Sequence, residues 1–236
     1  MIEAKAKFIE QVSRTASVTS FRFLPAQDFS FEPGQFLQLV FDPLHRANND
    51  LNKYLSFSSA PGKGYLEVTK RLSSSNFSQR LKGLNPGDEV LIKAPLGSCI
   101  FKEDYKKIAF LIGGIGITPV VSIIEYIATR KINTDAALFY SNRTEEEIAF
   151  KKELDSWQAG SNNIRVFYTV TDCQPRDSQC IYGPIDKDLL LSQLADIKDR
   201  IIFIFGPPKM VEAMQQLTTE LGCNRESIKT ESFMGY

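Results

Sequence analysis

The run IAFLIGGIGITPV, residues 108–120, places three glycines and a Thr-Pro pair where an apolar segment ends. Glycine has no Cβ, so Gly113, Gly114 and Gly116 let the chain turn sharply and let another group lie against bare backbone. Thr118 is placed to cap a following helix and Pro119 to sit in its first turn. A helix N-terminus offers free N–H groups and the positive end of a dipole, which suits a pyrophosphate. The third glycine of a full GxGxxG is absent, so a tight turn without a ligand is the competing reading. A second run, IIFIFGPPKM, joins another apolar segment to a helix through Gly206, Pro207 and Pro208, with Met210 just inside. It either flanks the same extended ligand or is an ordinary strand-to-helix turn.

A different chemistry lies upstream. KYLSFSSAP carries Lys53, Tyr54 and Leu55 beside hydroxyls at Ser56, Ser58 and Ser59. In an extended chain Ser56 and Ser58 share a face, where they suit the edge of a flat ligand or an edge strand open to water. SSSNFSQRL opens a helix at Ser75 or Asn76; Ser78 and free N–H groups there suit a second phosphate, with charge from Lys53 or Arg71. The chain ends TESFMGY. The strand pattern runs on into Phe233 and Tyr236, so Tyr236 is read either as a cover for a ring or as a loose end. Cysteines at 99, 173, 180 and 223 form no CxxC, and the chain has one histidine, His45. That spacing offers no zinc or iron–sulfur site, and no metal is expected. His45 and Trp157 receive no role.

These residues need elements to position them. Residues 1–102 read as six short strands separated by glycine and proline turns, with one helical interlude at NFSQRLKGL, which suggests a small antiparallel barrel. Residues 103–236 alternate strands (IAFLIG, DAALFYS, NIRVFYTV, RIIFIFG, SIKTESF) with helices (TPVVSIIEYIATR, TEEEIAFKKELDSW, DKDLLLSQL, PKMVEAMQQLTTELG). That alternation predicts an α/β open parallel sheet covered on both faces. Thr144 and Glu147 have the spacing of a capping box.

The chain of 236 residues carries 28 Lys plus Arg against 28 Asp plus Glu. Formal neutrality argues against a dedicated nucleic-acid binder. No apolar run approaches the roughly 20 residues of a membrane span, and MIEAKAKFIEQV does not read as a signal peptide. A cytoplasmic setting is expected.

Taken together, the chain resembles the ferredoxin–NADP reductase superfamily of flavin-dependent NAD(P)H reductases over essentially its whole length. LIGGIGITP is similar to that family's nucleotide loop, and FGPPKM follows in the right order; Phe205 stands where relatives usually place a cysteine. KYLSFSS is similar to the family's Arg-x-Tyr-Ser flavin motif, with Lys53 for the arginine, Leu55 for the tyrosine that packs on the flavin and Ser56 near flavin N5. SNFS (Ser75, Asn76, Phe77, Ser78) resembles its Gly-x-x-Ser phosphate turn. ESFMGY resembles its C-terminal region, which implies Glu231 near the ring and Tyr236 shielding the flavin face. LFYSNRTEEEIAFKKEL resembles the adenosine-side segment of NADH-dependent members such as cytochrome b5 reductase, with Ser141 and Arg143 also able to meet a 2′-phosphate. The resemblance implies FAD, with FMN the lesser choice, held in a cleft between the two domains. It implies NADH or NADPH as donor, with a lean to NADH. Hydride would pass to the flavin and electrons to a separate iron–sulfur protein, oxygenase component, cytochrome or quinone. The alternative is a redox-inactive nucleotide-binding subunit. Nothing in the sequence sets the oligomeric state.

Overall fold

The computed structural model describes residues 2–27 and 29–233; Tyr236, expected to shield the flavin, lies outside them. The chain divides into two units, one containing residues up to Phe101 together with Thr118–Tyr126, the other Lys102–Ile117 with residues from Ile127 onward.

The first unit is built on six antiparallel strands. They are β1 (Ile2–Ser13), β2 (Val18–Pro25), β3 (Phe36–Val40), β4 (Asn52–Ser56), β5 (Leu66–Arg71) and β6 (Glu89–Leu96), in the order β4-β3-β6-β1-β2-β5. The two edges meet beyond β4, where Phe57 bridges Val68 and the Ser58 N–H donates to Glu67 C=O at 2.8 Å. Register shifts at Phe8/Glu10 and at Phe36/Gln38 supply the local bends that let the sheet curl into a near-barrel. Alternate residues fill its interior: Ala4, Ala6 and Phe8 from β1, Phe21 and Phe23 from β2, Leu66 and Val68 from β5, Val90, Ile92 and Ala94 from β6. Phe31 stacks on Phe57 with ring centroids 3.9 Å apart. The expected helix is α1 (Asn76–Lys82), which drives Phe77 and Leu81 into this core and is capped by Ser75, whose side chain accepts from the Ser78 N–H.

On the outer face of β2 and β5 lies a buried chain of polar groups. Arg14 Nε donates to Ser20 Oγ at 2.7 Å, Ser20 meets Thr69 at 2.6 Å, Thr69 meets Ser58 at 2.7 Å, and Ser58 Oγ donates to Glu67 at 3.2 Å. Arg14 also bonds both Glu67 carboxylate oxygens, and Arg22 Nε reaches the same carboxylate at 2.8 Å. Ser58 and Ser59 are therefore structural: Ser59 Oγ accepts from the Glu67 N–H. The Ser58 hydroxyl, expected to share a ligand face with Ser56, is committed to Glu67 and Thr69, and β4 ends at Ser56.

The second unit is a six-stranded parallel sheet: β7 (Lys107–Gly113), β8 (Asp135–Asn142), β9 (Ile164–Val170), β10 (Cys180–Tyr182), β11 (Ile201–Gly206) and β12 (Ile228–Ser232), in the order β10-β9-β8-β7-β11-β12. The helices that follow its strands along the chain are α2 (Ile117–Arg130), of which Thr118–Tyr126 count with the first unit, α3 (Lys151–Ala159), α4 (Lys187–Gln193) and α5 (Pro208–Glu220). Ala109, Leu111, Ala137, Phe139, Ile202 and Ile204 form one apolar face, packed by Leu190 of α4 and Val211 and Met214 of α5. The three-residue edge strand β10 is too short to have left a pattern in the sequence.

The helix expected from Thr144 is broken. Residues 145–147 make a single 3-10 turn, Thr144 makes no side-chain cap bond, and α3 starts only at Lys151. The reason is burial: Ile148, Ala149 and Phe150 are all at most 5% exposed. Three consecutive residues cannot share one helical face, so Ile148 is extended and Phe150 adopts φ 63° to turn the chain into α3.

At the amino-terminal edge of the sheet, Arg200 sits almost wholly buried. Its Nε donates to Asp196 at 2.8 Å, one terminal nitrogen to the carbonyls of Ile108 and Asp135 at 3.2 Å each, and the other to the Asp135 and Asp196 carboxylates at 2.5 and 3.1 Å. Lys107 adds a 2.8 Å pair with Asp196, and Arg165 reaches Asp135 at 3.1 Å. One guanidinium thus ties the starts of β7, β8 and β11 together.

Candidate functional site

Parallel pairing brings the predicted nucleotide residues to one edge. Gly113 at the end of β7 is level with Ser141 of β8, Ser141 with Thr169 of β9, and Phe205 of β11 with both Ile112 and Glu231. The glycines have separate jobs. A Cβ on Gly113 would collide with Met210 Sδ and come within 3.1 Å of Pro207, while one on Gly116 would lie 2.5 Å from the Phe205 carbonyl oxygen. Gly206 in turn backs onto Gly113, its Cβ position 3.1 Å from Gly113 N. The two glycine turns are thus packed on each other, so three of these four glycines answer to protein rather than to ligand. Gly114 is the exception: φ is +51° and, among the described residues and apart from its chain neighbours, no atom lies within 4 Å of where its Cβ would be. That open ground is where a ligand can approach the backbone.

Thr118 does not cap α2. Gly116 holds the cap position without a side-chain bond, Thr118 is the second helical residue, and Pro119 follows in the first turn. The residue at the cap position thus contributes no side chain to the N–H groups of this helix start. Pro207 takes the cap position of α5, with Pro208 as first helical residue. The C-terminal strand continues beside β11, where the Phe233 N–H donates to Gly206 C=O at 2.9 Å and the Phe233 ring stands edge-on to Phe205 at 6.5 Å. Phe205 itself is fully buried.

Arg143 is exposed, and its Nε donates to Asp172 Oδ2 at 2.8 Å. The hydrogen bond from Arg143 holds the Asp172 carboxyl below its ordinary range. Its neighbour Asn142, which the sequence reading gave no role, is 5% exposed, and among the described residues neither its Oδ1 nor its Nδ2 has a hydrogen-bond partner. Thr169 Oγ1, one strand over, is likewise buried and unbonded. The contrast with the Arg200 edge is sharp, since buried polar groups are normally paired. Orphaned polar atoms at the carboxyl ends of parallel strands fit a nucleotide, because open α/β sheets take ligands there.

In the barrel unit, Ser56 closes β4 as a buried residue. Tyr54 is 62% exposed and edge-on to Phe36 at 5.8 Å, while Leu55, on the opposite strand face, packs against the barrel core. Tyr54 therefore cannot stand in for an aromatic at position 55. At the turn expected to hold a phosphate, Ser73, Ser75 and Ser78 hydroxyls bond one another, and Asn76 donates to Asp50 at 2.6 Å. The Phe77 ring belongs to the core, leaving only its backbone for a ligand. Arg71 bonds Ser17 Oγ at 3.2 Å.

The sequence also missed Lys70. It is 5% exposed, on the same strand face as core residues Leu66 and Val68, and β5 leads from it straight into the serine turn. Burial, and then the charge of Lys53, push its ammonium down to about 8. Two neighbouring lysines in low dielectric favour an anion between them. A phosphate bound there would stabilise the charged form, so such binding would take up a proton above pH 8 and weaken as pH rises. FAD titrated into flavin-free protein is expected to bind several-fold more weakly at pH 9 than at pH 7, and Lys70→Met is expected to flatten that dependence. A pH-independent affinity in the parent protein refutes the assignment. Without ligand the sign reverses: the folded state favours the neutral amine, so Lys70 adds stability as pH rises from about 8 toward 10.5.

The chain is a two-domain flavin and pyridine-nucleotide oxidoreductase. Residues 3–101 match the oxidoreductase FAD-binding domain family and residues 110–216 the oxidoreductase NAD-binding domain family. It belongs to the ferredoxin–NADP reductase and cytochrome b5 reductase-like superfamily of FAD- and NAD(P)H-using oxidoreductases. It is 29% identical over 219 residues to an NADH-cytochrome b5 reductase-like protein of Arabidopsis thaliana, covering 89% of this chain and 66% of that one. Against NADH-cytochrome b5 reductase 2 of Debaryomyces hansenii it is 33% identical over 174 residues, covering 72% of this chain and 58% of the relative. In fold it is similar to the flavohem-like FAD/NAD-binding domain of nitric oxide dioxygenase from Vibrio cholerae, with TM-score 0.84, 20% identity, and 98% and 99% of the two chains covered. The cytochrome b5 reductase domain of Ulva prolifera nitrate reductase gives TM-score 0.82 at 21% identity, covering 98% and 97%. Among the described residues no cluster could hold a metal ion, and no helix is long and apolar enough to cross a membrane.

Proposed function

We propose that this chain is an NADH-dependent reductase that delivers electrons from FAD to a separate redox protein. The observation that carries this is the succession of an FAD-binding and an NAD-binding family match along one chain, over residues 3–101 and 110–216. When bound, the flavin accepts a hydride from the nicotinamide and releases its electrons to the acceptor. The protein contributes binding and orientation. Gly114 and the start of α2 receive the dinucleotide's pyrophosphate, with Pro119 fixing the first turn and Ser141 at the next strand end. Lys53, Lys70 and the turn at Ser75, Asn76 and Ser78 receive the flavin's phosphates. Ser56 is assigned to the flavin's hydride-accepting nitrogen, Glu231 to the neighbourhood of the ring, and Tyr236 to its cover.

Arg143 favours NADH over NADPH because its charge is already committed to Asp172. A 2′-phosphate would have to share that arginine with a carboxylate. The acceptor is a partner protein such as a cytochrome, an iron–sulfur protein or an oxygenase component. The names of the sequence relatives make a b-type cytochrome the first to try. Anaerobic mixing of the FAD-loaded protein with NADH or NADPH, followed at the flavin absorbance, tests the reading. NADH is expected to bleach the flavin faster; a flavin that neither dinucleotide reduces overturns the proposal.

A further inference from the structure

Glu125 is a charged side chain on the buried part of α2. Val120, Val121, Ile123 and Ile124 around it are at most 2% exposed, and Glu125 itself is 7% exposed. A buried carboxylate is costly, and a hydrophobic residue of similar volume is often no less stable in its place. Its partners show what it holds. Oε2 accepts from the Ala60 N–H at 2.7 Å, and Oε1 pairs with the Lys63 ammonium, the countercharge that a buried carboxylate needs. Both partners lie on the segment that leaves β4 at Ser56. From Ser56 to Ala60 every residue is buried. The Phe57 N–H donates to the Gln35 carbonyl at 3.1 Å and the Ser58 N–H to the Glu67 carbonyl at 2.8 Å. At Ala60 a helix carboxylate takes the place of a strand carbonyl. Glu67 of β5 and Glu125 of α2 thus clamp the segment between them.

We infer that Glu125 is a positioning residue for hydride transfer. By holding the Ala60 N–H it fixes Ser56–Ala60 against α2, and so keeps Ser56 at a set separation from the helix start that receives the dinucleotide. Ser56–Ala60 and the α2 stretch Thr118–Tyr126 belong to the same unit, and α2 begins at the glycine loop. At 3.6 residues per turn Glu125 lies about two turns beyond Thr118, close enough for a stiff helix to carry the constraint to its first turn. Transfer between two bound rings depends steeply on spacing, and a displacement of about 1 Å costs on the order of a hundredfold in rate. The carboxylate acts through two stretches of backbone and touches neither ring. The inference rests on the reductase reading above and adds to it the residue that sets the spacing.

Anaerobic stopped-flow mixing of the FAD-loaded protein with NADH gives the limiting rate of flavin reduction and the dissociation constant of NADH. Glu125→Leu, which removes both contacts, is expected to lower the limiting rate about tenfold or more, with a smaller change in the dissociation constant. Glu125→Gln keeps a side-chain carbonyl that accepts from the Ala60 N–H, so it is expected to restore the limiting rate to near the parental value. A carboxylate that only stabilises the fold predicts a lower melting temperature for Glu125→Leu and an unchanged limiting rate in the FAD-loaded protein, and that result overturns the inference. A loss that Glu125→Gln shares in full traces to the charge rather than to the Ala60 bond, and overturns it as well. If Glu125→Leu does not fold and load FAD, Glu125→Asp takes its place, since it keeps the charge but draws the carboxylate back by one methylene; the same fall in rate supports the inference and an unchanged rate overturns it. A parent protein whose flavin NADH does not reduce refutes the reductase reading itself, which separates the two failures.

Discussion

Gly116→Ala is expected to abolish useful dinucleotide binding while leaving FAD in place. The added methyl would sit 2.5 Å from the Phe205 carbonyl oxygen and 2.9 Å from Gly206 N, both backbone atoms with no rotamer to escape into. The two glycine turns must separate, at an overpacking cost of about 1–3 kcal/mol. The N–H groups at the start of α2 move with them. A shift of about 1 Å in a positioning element costs on the order of a hundredfold in rate, so kcat/KM for NADH should fall by about that factor. Gly114→Val is the paired control with a different signature. Its Cβ meets no atom of the described residues within 4 Å, but φ of +51° costs a branched residue about 1–2 kcal/mol, and the side chain projects into the ligand's approach. It should fold, retain FAD and raise KM for NADH at least tenfold. Unchanged KM in Gly114→Val would return the loop to an ordinary turn.

Arg200→Ala is expected to be the most destabilising single change in the second unit. It removes a buried guanidinium that bonds two carboxylates and two strand carbonyls. Breaking a buried pair costs about 3–5 kcal/mol. The Asp135 and Asp196 side chains are about one-third exposed, so the lower end applies, with a fall in melting temperature of roughly 6–12 °C. FAD content at low temperature should be unaffected. A denaturation midpoint equal to that of the parent would show the network to be dispensable. The same edge predicts an acid limit. The hydrogen bond from Arg200 holds the Asp196 carboxyl down at about 2. A carboxyl with a depressed folded pKa contributes stability above its unfolded value near 3.8, and loses it as pH falls toward 2. Arg200→Ala should therefore unfold with a shallower pH dependence between about 4 and 2.

How much of this was legible beforehand depended on the range of the interactions involved. The six barrel strands carried period-two alternation bounded by glycine and proline, and the parallel strands carried short apolar runs followed by turns; both signals are local. The helix expected from Thr144 failed because its period competes with the burial of Ile148, Ala149 and Phe150, which a tertiary surface decides. The glycine loop was placed correctly at the end of β7, but its composition had mixed causes. Gly113 and Gly116 are fixed by Met210 and Phe205, which lie far along the chain, and no local pattern announces that. Lys70 and Asn142 were invisible for the same reason. A lysine in a strand and an asparagine at its end are ordinary letters until a fold buries the one beside Lys53 and leaves the other without a partner.

The chain of hydroxyls on the outer face of β2 and β5 has a direction. Ser58 gives its only hydroxyl proton to Glu67, so Thr69 must give its own to Ser58, and Ser20 its own to Thr69, while Arg14 supplies Ser20. Every proton in the relay is committed, running one way from guanidinium to carboxylate. Such hydroxyls cannot spin freely or trade readily with solvent, and they should appear in low-temperature NMR as sharp, slowly exchanging resonances. Loss of Ser20, Thr69 or Ser58 would reverse or sever the relay rather than merely delete one bond from it.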